Sequence, residues 1–187
     1  MRALDRLMEM LCGTFDNRAQ YDRESLSGRP VHPRARHVIG LCNEKIDHLP
    51  EEFNGYFVIE ESCFDLEDQR IEKHYLFLYD EDETGCVRLT SYNVPPEMPK
   101  ERFTNDDPAI RRDYLKLEVS PRFQPLTLRE EDGVFRGENC SRFSEDTTFL
   151  FSLSVSSERL LVKELLLRGA ERVAGYEEPV EYIRIQD

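Results

Sequence analysis

The sequence predicts an all-β fold: an antiparallel strand meander closed into a barrel, with a single helix at its start. Three observations carry that expectation. Between Gly55 and Val94, three segments (56–64, 71–79 and 86–94) are rich in β-branched and aromatic residues and are divided by short polar turns such as Asp80–Gly85. The same pattern returns after Tyr114, so that about ten strands follow one another with almost no helix between them, which excludes a doubly wound α/β sheet. A meander of that length must manage its edges, and closure is the simplest way to do so.

Taken in order, the chain opens on a helix over 3–12. Leu4, Leu7, Met8 and Leu11 fall on one stripe and Gly13 supplies the stop. One stripe fits a helix laid on a single surface, such as the open end of a barrel. Residues 14–21 are polar and of helix or turn character, and 23–36, rich in Arg, Pro and Ser, read as a loop. A first strand is expected over 37–46, and the meander follows. The stretch 95–113 holds four of the ten prolines and reads as a long loop, with a short helical piece at 108–113. Further strands are expected at 114–119, 125–130, 134–140, 148–155, 159–167 and 179–185. The run RLLVKELLL at 159–167 also suits a helix, but the Ser156-Ser157 turn and the short spacing favour a strand. No linker or low-complexity run divides the chain, so residues 1–187 are read as one domain, a lipocalin-like or calycin-like barrel. A barrel of about eight strands is just wide enough to be filled by side chains or to hold one small ligand.

The net charge of −13 disfavours nucleic acid, which needs clustered Lys and Arg. No segment is apolar enough to insert in a membrane, and the first residues carry acids that a signal-peptide core excludes, so a cytoplasmic chain is expected. The five cysteines form no C-x-x-C pair, and His32 and His37 straddle a Pro-containing loop, so no metal is expected.

Candidate binding residues come from the meander. Tyr75, Phe77, Arg88 and Tyr92 are placed on one sheet face, which lines either a ligand cavity or a wet exterior. Glu60 follows four apolar residues in a strand. It is either an outward carboxylate or a pocket acceptor, because an unpaired buried charge is costly. Cys140, beside Arg142, is either a small buried hydrophobe or a thiol nucleophile. Asp16, Asn17 and Gln20 suit local backbone hydrogen bonding after a helix.

The order of short motifs resembles one family. The apolar helix running into Gly13-Thr14-Phe15-Asp16-Asn17-Arg18-Ala19-Gln20, then Phe57-Val58-Ile59-Glu60-Glu61, Arg88-Leu89-Thr90-Ser91-Tyr92, Phe135-Arg136-Gly137 with Cys140, and Arg168-Gly169, Gly175 and Pro179, is similar to the CpcT/CpeT-type chromophore lyases of phycobiliproteins. The chain departs from that pattern at Asn139, Leu167 and Ala174, and it contains no Trp. The resemblance implies a calycin-type barrel that binds a linear tetrapyrrole (a bilin such as phycocyanobilin) non-covalently and transfers it to a cysteine of a phycobiliprotein subunit. It further implies Glu60 and Cys140 as catalytic candidates, and Asn17, Gln20 and Arg168 as ligand contacts beside Tyr75, Phe77, Arg88 and Tyr92. The alternative is a non-catalytic barrel carrying a lipid or another amphipathic ligand. A homodimer is left open.

Overall fold

The structure is a computed structural model that describes residues 1–29, 31–94 and 99–185. In chain order its elements are α1 (Ala3–Leu11), β1 (Gly13–Asp16), α2 (Arg18–Leu26), β2 (Arg34–Leu41), β3 (Ile46–Asp47), β4 (Tyr56–Asp65), β5 (Arg70–Glu81) and β6 (Val87–Tyr92). They continue with β7 (Arg112–Asp113), β8 (Leu126–Glu131), β9 (Val134–Arg142), β10 (Thr147–Val155), β11 (Arg159–Arg168), β12 (Glu171–Gly175) and β13 (Val180–Arg184). The sheet runs β10-β9-β8-β6-β5-β4-β2-β1-β13-β11, and β11 pairs back onto β10. The result is a closed antiparallel barrel of 10 strands. Closure gives every wall strand two neighbours, which is how a long meander avoids a free edge.

Two alternating sets of side chains build two separate cores. On β4, Val58 belongs to an inner cluster, whereas Phe57 and Ile59 belong to an outer one. The inner cluster joins Leu4, Leu7, Met8 and Leu11 of α1 to Tyr79, Val87, Leu89, Leu126, Leu128, Phe135, Val155 and Leu160 of the wall. These wall residues come from the end of β5 and β10 and from the start of β6, β8, β9 and β11, so α1 closes one end of the barrel. The outer cluster packs Phe57, Ile59, Leu76 and Leu78 beneath Phe103 and Ile110, with Tyr92 and Tyr114 against it. The stretch expected as a long loop therefore lies over one wall; its residues 95–98 fall outside the described residues.

The closing helix is held at its C-terminus by the far end of the chain. Arg184 of β13 donates from Nη1 to the Cys12 carbonyl at 2.8 Å and from Nη2 to the Met10 carbonyl. A cation at the negative end of a helix is favourable, and these carbonyls have no partner within the helix. Gly13 makes the contact possible: its φ is +147°, and a Cβ there would collide with the guanidinium.

Several boundaries differ from the sequence expectations. Residues 14–21 hold the end of β1 and the start of α2, and the supposed loop 23–36 is helical to Leu26 and extended again from Arg34. The first long strand is Arg34–Leu41 rather than 37–46, and a 3₁₀ turn at Asn43–Lys45 separates it from β3. Residues 108–113 form a turn and β7, which pairs in parallel with β3. The expected strand at 114–119 is a 3₁₀ turn, Tyr114–Lys116, with one bridge between Val119 and Tyr92. Asp113 caps that turn by accepting from the Leu115 N–H at 3.1 Å, while Tyr114 packs edge-on at 5.7 Å from Phe53. Local capping and an aromatic anchor outweigh the alternating pattern there. RLLVKELLL is strand β11, and β12 went unread because Glu171–Gly175 offers only a short, mostly exposed edge.

Candidate functional site: a half-filled barrel

Away from α1 the interior is not filled. A cavity of about 460 Å³ occupies that half, within the roughly 300–1,000 Å³ usual for small-molecule sites. Its walls are aromatic. Phe143 and Phe149 stack at 5.3 Å, Phe149 and Phe151 at 6.2 Å, and Phe123 meets Phe143 and Phe149 edge-on at 5.3 and 5.5 Å. Tyr75 stacks on Phe77 across the cavity lining at 5.5 Å. Exposed Lys73 and Arg122 mark the mouth; Lys73 sits over the Phe64 ring at 5.4 Å and Arg122 over Phe143 at 4.2 Å.

Deeper, where the cavity meets the apolar plug, the lining turns polar. His37 Nδ1 lies 3.0 Å from Glu60 Oε1, and the Ser62 hydroxyl donates to the same oxygen at 3.0 Å. The His37 ring packs edge-on against Tyr182 at 4.3 Å, and its Nε2 is buried with no hydrogen-bond partner among the described residues. Glu164 of β11 also lines the cavity. Burial pushes its carboxyl above the usual range; Lys73 and His37 pull it back and Glu60 pushes it further up. No described residue forms a hydrogen bond or ion pair with that carboxylate. Burial likewise raises the Tyr75, Tyr79 and Tyr182 phenols, with the Glu60 charge adding to each, so all three stand as hydroxyl donors.

The strands that carry these groups follow strict parity. On β2, Ala35, His37 and Ile39 are buried between exposed or partly exposed Arg34, Arg36, Val38 and Gly40. On β11, Leu160, Val162, Glu164 and Leu166 share the cavity face. At Glu164 the neighbouring strand comes unusually close. Gly175 has φ +85°, and a Cβ there would overlap the Glu164 carbonyl, so only glycine lets β12 lie against this stretch of wall.

Of the residues singled out in the sequence, Glu60, Tyr75 and Phe77 line the cavity. Of the two orientations expected for Glu60, the side chain takes the inward one, and its neighbour Ile59 packs in the outer cluster. Arg88 and Tyr92 are corrected. Register places Tyr92 opposite Leu76 and Arg88 opposite Asp80, and directly opposed residues share a face, so both lie outside. Arg88 pairs with Asp80 at 2.7 Å, and Tyr92 packs on Phe57 in the outer cluster. The expectation failed because it carried the Tyr75 face one residue out of step across the turn into β6.

Cys140 is exposed between Asn139 and Ser141, which line the cavity; it is neither a buried hydrophobe nor a cavity thiol. Asn17 is a structural tie. It accepts from the Ala35 N–H at 2.7 Å and donates to the Pro33 carbonyl at 2.8 Å. Gln20 does the same for β13, donating to the Pro179 carbonyl at 3.0 Å and accepting from the Glu181 N–H at 2.9 Å. Arg168 is exposed at the end of β11 and does not line the cavity. Sequence reading missed His37, Glu164 and the Phe123/Phe143/Phe149 cluster. The legible signal for the first two was a titratable residue on the apolar parity of its strand.

The fold and the site together define a closed β-barrel with an internal cavity above a polar floor. No protein-family model matches the chain and no curated protein matches it, so the likeness to the CpcT/CpeT-type lyases rests on the quoted residues alone. Among the described residues no group of three or more His, Cys, Asp or Glu is placed to hold a metal ion, and no helix is long and apolar enough to cross a membrane.

Proposed function

We propose that this barrel binds a small, elongated, largely apolar molecule non-covalently within its open half. The observation that carries the reading is the 460 Å³ cavity with aromatic walls above a polar floor, on a core already closed by α1. Burying apolar ligand surface there supplies the driving force, about 25 cal/mol per Å² before ordering costs. The phenols and carboxylates of the floor set orientation.

A linear tetrapyrrole is one candidate occupant. Its conjugated plane suits Tyr75, Phe77 and Phe149, its pyrrole N–H groups suit Glu60 and Glu164, and its propionates suit Lys73 and Arg122 at the mouth. Transfer of that chromophore to a cysteine of a phycobiliprotein would use Glu60 for proton movement and the barrel for positioning. Cys140 has no part in this reading, since it faces away from the cavity. Five free cysteines suit a reducing, cytoplasmic setting.

The test is titration with N-phenyl-1-naphthylamine, whose fluorescence rises in apolar sites. Saturable enhancement that weakens in Phe149→Ala supports a binding barrel; no saturable signal sinks it. Titration with phycocyanobilin then asks for a saturable shift of its visible band, and its absence removes the tetrapyrrole while leaving the barrel's binding role.

A further inference from the structure

We infer that the buried end of the occupant carries a protonated amine, or an equivalent cationic nitrogen, received by Glu60 and Glu164. The inference rests on the binding role proposed above and names the head group that this cavity takes. The floor holds two carboxylates, Glu60 and Glu164, together with the phenols of Tyr75, Tyr79 and Tyr182. Its basic member, His37, is engaged through Nδ1 with Glu60 at 3.0 Å. The ammonium and guanidinium groups of Lys73 and Arg122 stand out at the mouth, over the rings of Phe64 and Phe143.

Glu60 has direct partners in His37 and Ser62, whereas among the described residues Glu164 makes no direct hydrogen bond or ion pair and feels Lys73 and His37 only at longer range. A carboxylate lining an apolar cavity with no direct partner is costly, and a ligand cation received by the two acids offsets that cost while gaining charge-assisted hydrogen bonds. Tyr75 and Tyr182 line the same cavity as the acids, and aromatic rings attract a cation and not an anion. An anionic head fits less well in either orientation. Sent inward, it meets two carboxylates. Left at the mouth on Lys73, it drives an apolar tail onto the polar floor, where phenols and carboxylates lose water without gaining partners.

The test compares three ligands that differ only in the head: decylamine, decan-1-ol and decanoate, each displacing N-phenyl-1-naphthylamine from the full chain. The expected order is amine over alcohol over carboxylate. The amine should lead by about tenfold or more, and its advantage should collapse in both Glu164→Gln and Glu60→Gln, as loss of a charge-assisted bond requires. Equal binding of all three, or preference for decanoate, overturns the inference while the barrel's binding role stands. A wild-type amine preference that survives both substitutions also overturns it. Failure of every ligand and of the fluorescent probe overturns the binding role and the inference together. The wild-type series decides the head-group question even if a variant does not fold.

Discussion

The two halves of the barrel interior are built from the same strands and the same alternation, yet one is solid and the other hollow. Toward α1, the inward positions are Val58, Val87, Leu89, Leu126, Leu128 and Val155, and the helix adds Leu4, Leu7 and Leu11. Toward the other end the same strands carry Glu60, Ser62, Ser91, Asn139, Ser141 and Phe149, and among the described residues the helices contribute only Leu11 to the cavity lining. The lesson concerns division of labour. Close-packed aliphatic side chains hold the fold at one end. That frees the other end to keep groups that would be destabilising in a filled core.

The largest expected effect comes from breaking the solid half. Leu7→Ala leaves a void in fully buried packing and should cost about 2–5 kcal/mol, read as a lower midpoint in urea. In the hollow half, Phe149→Ala removes a ring that already faces the cavity, so its cost should be smaller, about 1–2 kcal/mol, while affinity for N-phenyl-1-naphthylamine falls.

Glu164→Gln should act in the opposite direction. Its carboxyl is raised in the folded chain, so its contribution to stability is complete below the unfolded carboxyl range and is lost as pH rises through the raised value. The groups facing it are Glu60, His37, Lys73, Tyr75 and Tyr182. The glutamine variant should therefore melt higher than the wild type in neutral and alkaline buffer, with the gain shrinking toward acid. A variant that melts lower at neutral pH would show that the carboxylate has a partner.

Arg88→Ala should do least. Its exposed pair with Asp80 contributes no more than about 0.5 kcal/mol, and neither this change nor Tyr92→Phe should alter ligand affinity. A loss of affinity in either would return the outer face of β6 to the site.

Most of the fold was legible because strand alternation and the α1 stripe are local signals. The meander segments fall within one or two residues of β4, β5 and β6. The site was legible in part. Glu60, Tyr75 and Phe77 could be named, but their shared face with Arg88 depends on register across the turn at Asp82–Gly85, and one residue of slip exchanges inside for outside. Glu164 was hidden for a different reason: it lies in the run 159–167, which also suited a helix, and its pairing with the cavity-lining Phe151 of β10 is what places it on the inner face. Tyr114–Lys116 was misread because the alternating pattern outweighed the adjacent Asp113 cap in the reading, and the Phe53 ring that anchors Tyr114 lies in a distant segment of the chain.

The outer cluster also has a mechanical consequence. Phe103 and Ile110 clothe β4 and β5 in a second layer, and His74 is tied beneath it to the Phe103 carbonyl at 2.7 Å. The far wall has no such cover: Arg136, Glu138, Cys140 and Arg142 of β9 stand exposed. A guest entering past Phe143 and Phe149 therefore has one stiff wall and one pliant wall to lean on, and the pliant one carries its aromatic gate. Amide protons of β9 and the start of β10 should accordingly exchange with solvent sooner than those of β4 and β5, and should slow more once the cavity is occupied.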